Sequence, residues 1–153
     1  MRATPSALCL ATLLALMGFA TPAAADGCGD LIDKVVAGTQ ATLVKRTLDF
    51  AELSASDGIG MTLACGQLSA VGVQFKGPSL PEAYFPLFGR AGQATTGIAA
   101  DVIAEAGRRA RTDAATTRHS NVDAGIALVT CSVSTPPGGP VTACAVIDKG
   151  DAH

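Results

Sequence analysis

Residues 125–148 read GIALVTCSVSTPPGGPVTACAVID. Two β-rich runs flank Pro136-Pro137-Gly138-Gly139, a strong turn signal, so the stretch predicts a C-terminal β-hairpin from about Asp123 to Asp148. Pairing Thr135 with Pro140 across the turn sets Cys131 opposite Cys144. Directly opposed antiparallel residues have Cα atoms about 4.5–5.5 Å apart, which suits a disulfide. A slip of one residue would send the two sulfurs to opposite faces. In the hairpin Ile126 and Leu128 are apolar, and so are Val129, Cys131 and Val133. The last strands are therefore expected to be covered on both sides, within the fold or by a partner.

The chain holds five cysteines. Cys9 lies in a leader-like start: Met1-Arg2, an apolar run from Leu8 to Ala20, then Thr21-Pro22-Ala23-Ala24-Ala25. This layout predicts a secretory signal peptide over residues 1–25, cut after Ala25. The apolar run, about 13 residues, is short of the roughly 20 that a membrane-spanning helix needs. Export would carry Cys28, Cys65, Cys131 and Cys144 to an oxidising place, periplasmic or secreted, where an even count favours two disulfides. With Cys131–Cys144 set by the hairpin, elimination leaves Cys28–Cys65. No Cys-x-x-Cys and no close pairs occur, so redox exchange and zinc ligation rank behind structural bridges.

The 153 residues less the 25 of the leader leave 128, one exported domain over residues 26–153. The 11 Lys and Arg less Arg2 leave 10 against 13 Asp and Glu. That mild acidity gives no reason to expect a nucleic-acid partner, which favours a strongly basic face. Scarce Lys with abundant Ala, Gly and Arg reads as a GC-rich bacterial bias.

Leu31, Val35, Val36, Thr39 and Leu43 recur at helical spacing, which predicts a helix from about Leu31 to Lys45. Two or three strands should follow, Ile59/Met61/Leu63/Cys65 and Val71/Val73/Phe75 each alternating. Ser79-Leu80-Pro81-Glu82 has the spacing of a capping box, with Pro86 expected to kink or end that helix soon after. A second helical run is expected from about Thr96 to Arg111, with Arg108, Arg109 and Arg111 at its C-terminal end, where cations suit the dipole. Thr112–Val122 reads as a connection. The order predicts an α+β fold: a single antiparallel sheet of four to five strands, helices packed on one face, and the C-terminal β-hairpin.

Three of the five aromatic residues of the mature chain fall in Tyr84-Phe85-Pro86-Leu87-Phe88. Such a cluster either fills a core or lines a cleft. Tyr84, Phe85 and Phe88, with Arg90 for an anionic group, are the candidate ligand- or partner-binding residues, and the edge of the terminal hairpin is a second candidate surface. The glycines of GRAGQATTG lack P-loop spacing and a following Lys. His119 stands without a motif that would fix a nucleophile or an acid beside it, and no G-x-S-x-G or H-E-x-x-H occurs. No catalytic residue, metal or cofactor is assigned. The sequence points to a disulfide-stabilised, non-catalytic domain that binds a partner protein or a small apolar ligand. Its rival is a small exported hydrolase using carboxylates or His119, which a concave pocket around His119 would favour.

Overall fold

The computed structural model describes residues 27–150; the expected leader over 1–25, Cys9 and the tail residues Asp151 and His153 lie outside the described residues. The chain runs α1 (Gly27–Thr39), β1 (Thr42–Arg46), β2 (Phe50–Ser54), β3 (Gly60–Ala64), β4 (Ala70–Lys76), α2 (Tyr84–Thr96), α3 (Ala100–Thr117), β5 (His119–Ala124), β6 (Ala127–Ser134) and β7 (Val141–Asp148), with a short 3-10 turn at Ser56–Gly58. The strands form one antiparallel sheet in the order β1-β2-β3-β4-β7-β6-β5. The α+β class holds, but the sheet has seven strands rather than four to five.

Both extra strands come from segments whose local signals favoured something else. The helix expected to reach Lys45 stops at Thr39, because Gln40 turns to a positive φ of 59°, a conformation few non-glycine residues adopt. Thr39 Oγ1 donates to the Val35 carbonyl at 2.6 Å, closing the last turn. Thr42–Arg46 then runs as an edge strand, exposed along its whole length. At the other end α3 continues through Thr112 to Thr117, and Arg118 at φ 70° turns the chain into β5. The segment expected to connect is therefore the end of a helix plus an edge strand.

Pro86 also acts differently from expectation. It is the third residue of α2, inside the first turn, where its missing N–H has no carbonyl to meet. The helix neither kinks nor ends there, and the expected capping box is not formed: Ala83 is the N-cap, without a side-chain hydrogen bond. Gly97, at φ 76°, ends α2 with its N–H on the Gln93 carbonyl, the left-handed cap glycine supplies without strain.

The register fixes which residues face the helices. Leu53↔Met61↔Val73↔Cys144↔Cys131 and Ala51↔Leu63↔Val71↔Val146↔Val129 run across the sheet as two buried rows. α2 and α3 lie over β4, β7, β6 and β5, while α1 packs beside α2 and over β2. Alanine and glycine allow this close layering. A Cβ on Gly89 would collide with the Ala100 backbone carbonyl of α3, and one on Gly92 would stand 2.6 Å from Ile103 and 2.9 Å from Val146. These glycines do not loosen α2; they let it sit down on α3 and the sheet.

The hairpin register is Cys131↔Cys144, as the turn implied, with Cα atoms 4.0 Å apart and the two sulfurs bonded. Cys28 bonds Cys65 over a Cα distance of 5.6 Å, tying the start of α1 to the residue after β3. The hairpin itself is not an edge: β7 is flanked by β4 and β6 by β5. The free edges of the sheet are β1 and β5. No helix of the described residues is long and apolar enough to cross a membrane.

Candidate functional site

The start of α2 aims its aromatic residues in different directions. Helical spacing puts Tyr84, Leu87, Phe88 and Ala91 on the inner face, and all four are buried. The Phe88 ring lies over Gly107 of α3, where a Cβ would stand 2.7 Å from the ring edge. Tyr84 reaches the sheet and its hydroxyl donates to the Val73 carbonyl at 2.6 Å. Both side chains belong to the core and neither has surface to offer a ligand.

Burial pushes the Tyr84 phenol well above its usual range; the Cys144 backbone and the charge of Arg111 act in the opposite direction without cancelling it. The sign is settled by linkage: the folded state holds this proton more tightly than the unfolded chain. The contribution of Tyr84 to stability is therefore expected to be constant below about pH 10 and to fall above it, as the unfolded phenol ionises. Tyr84→Phe should remove that alkaline slope while costing about 1 kcal/mol at neutral pH for the lost hydrogen bond. Urea denaturation across pH 8–11 reads both effects.

Phe85 points the other way and is half-buried. Its ring meets Tyr84 edge-on at 5.2 Å, and the Arg108 guanidinium sits 5.4 Å from its centroid. Phe85 borders a groove of about 460 Å³ between the loop after β4 and the outer side of α3, lined by Pro78, Ser79, Leu80, Arg108, Arg111 and Thr112. That volume lies in the range of small-molecule sites, roughly 300–1,000 Å³.

Arg111 is the unusual member of this lining. It is half-buried, and its Nε is fully buried without a hydrogen-bond partner among the described residues. It takes part in none of their ion pairs, which join Arg46 to Asp33, Arg108 to Glu105 and Lys149 to Asp123. An unsatisfied buried donor costs about 1–3 kcal/mol, and more when charged. Nor does the helix dipole account for it: α3 runs on to Thr117 and has no basic residue in its last turn. Sequence reasoning missed Arg111 as a site residue because the end of α3 was placed one and a half turns too early. The unsatisfied Nε has no signal in the sequence.

Arg90 is exposed and is not brought to Phe85. It borders a separate groove between α2 and α3, with Pro86, Asp101, Glu105 and Arg108. The carboxylates there already supply negative charge beside it.

A third concavity lies on the outer face of the sheet, which none of the described helices covers. Gly72, Ala143 and Ala145 form a low floor, and Thr62, Gln74, Thr130, Ser132 and His119 rise around it, enclosing about 240 Å³. His119 and Ser132 are direct cross-strand partners. Ser132 Oγ donates to the Ala143 carbonyl at 3.5 Å, and no carboxylate lines the trough. Among the described residues no group of three or more His, Cys, Asp or Glu is placed to hold a metal ion. No protein-family model, curated protein or solved structure matches the chain.

Proposed function

We propose that this chain is an exported, disulfide-stabilised domain that works by binding rather than by catalysis. Its docking site is the groove beside Phe85, which takes a small apolar ligand or an apolar element of a partner protein. The observation that carries this reading is the division of labour at the start of α2. Tyr84 and Phe88 anchor the helix in the core, while Phe85 is left half-buried against a groove that Pro78 and Leu80 also line. A rigid aromatic wall of this kind supplies contact area at little cost in conformational entropy. Two disulfides in a domain of this size suit an oxidising compartment, which supports export.

A neutral apolar dye such as Nile red tests the site. Phe85→Ala is expected to weaken dye binding at least five-fold while lowering stability by about 1–2 kcal/mol, since the ring is only partly buried. Unchanged dye affinity in a folded variant would remove the groove from consideration.

His119 gives the hydrolase alternative one point of support, because it does border a concave trough beside a serine. A working base needs a third group to hold it. The trough offers hydroxyls and an amide but no carboxylate, so this alternative ranks second.

A further inference from the structure

Resting on the binding site proposed above, we infer that the ligand of the Phe85 groove is an amphipathic anion, a small organic carboxylate. Its charged end bonds Arg111 and its apolar body lies along Leu80 and Phe85. Three observations lead there. Arg111 borders the groove and takes part in none of the ion pairs among the described residues. Arg108 adds a second guanidinium to the same lining, and no Asp or Glu lines it, whereas the neighbouring groove holds Asp101 and Glu105. The rest of the lining is Pro78, Leu80 and Phe85 with two hydroxyl residues, so it favours a ligand with an apolar portion over a bare ion.

The chemistry of the guanidinium sets the class of the head group. The two outer Nη groups form a planar fork that matches the two oxygens of a carboxylate, while Nε stays shielded by the protein. Arg108 is already engaged, with Glu105 at 3.5 Å and with the Phe85 ring. It therefore contributes field rather than a free fork, and Arg111 is the residue that determines specificity.

The test titrates the oxidised protein, by calorimetry at pH 7 and low salt, with four probes: octanoate, octan-1-ol, octylamine and acetate. Octanoate is expected to bind at least ten-fold more tightly than octan-1-ol, with octylamine and acetate weaker still. Arg111→Gln should erase the preference for octanoate over octan-1-ol, and Arg111→Lys, which keeps the charge but not the fork, should retain only part of it. Equal affinity for octanoate and octan-1-ol overturns the anionic head group and leaves the apolar binding site standing. Tight acetate binding overturns the amphipathic class. An octanoate preference that survives Arg111→Gln overturns the assignment to Arg111. Binding of none of the four overturns the groove as a small-molecule site. If Arg111→Gln fails to fold, the four-probe ranking on the unaltered protein and Arg111→Lys decide the matter.

Discussion

Phe88→Ala is expected to lower the stability of the domain by about 3–5 kcal/mol, the range for emptying a fully buried aromatic site. The ring has no exposed surface and sits in a slot that exists only because position 107 is glycine. Neither α3 nor the sheet can close over the vacated space, because Gly89 and Gly92 already hold the backbones at contact distance. For a chain of this length the loss corresponds to a fall in melting temperature of roughly 10–20 °C. Groove binding, measured well below the melting point, should survive the change, since the groove is lined by Phe85 and not by Phe88. Loss of binding with little loss of stability would reverse the roles given to these two rings.

Removing the Cys28–Cys65 bridge should cost about as much. It closes a loop of 37 residues, for which the chain-entropy model gives about 4 kcal/mol; Cys131–Cys144, at a separation of 13, gives about 3 kcal/mol. Domains of this kind have about 5–15 kcal/mol in total, so losing both bridges puts folding itself at risk. The bridges differ in where they act. Cys131 and Cys144 are buried under α3 on adjacent strands that the hairpin register already holds together. Cys28 fastens a helix whose own sheet contacts are few, chiefly with β2. The double replacement Cys28→Ala/Cys65→Ala is thus expected to release α1 first, seen as early amide exchange at Ile32 and Val35. Denaturant midpoints of the two double variants, compared with the oxidised protein, give the sizes. A loss under 1 kcal/mol for either would show that the bridge adds nothing to the fold.

How much of this was legible in the sequence depended on how local the signal was. The hairpin register followed from one turn and one pattern of alternation, and Cys131↔Cys144 came with it. The strands built on Met61/Leu63 and Val71/Val73 were readable because alternation persisted through a half-buried sheet. β1 and β5 were not, since edge strands bury little: all of β1 is exposed, and β5 is largely polar. The α2 glycines misled because packing against α3, invisible locally, outweighs their weak helix propensity. Phe85 was legible as a candidate from composition alone. Arg111 was hidden because its place beside Phe85, outside the ion pairs, is set by tertiary packing.

Contact between a ligand carboxylate and the Arg111 guanidinium decides the matter. The guanidinium resonances of Arg111 in a ¹H–¹⁵N spectrum, followed as octanoate is added to the oxidised protein, report directly on that contact. A downfield shift of the Arg111 Nη protons is expected, with amides of Leu80 and Phe85 moving in step and those of Thr130 and Ser132 staying still. Movement centred on the His119 trough, or an Arg111 guanidinium indifferent to octanoate, would overturn the assignment.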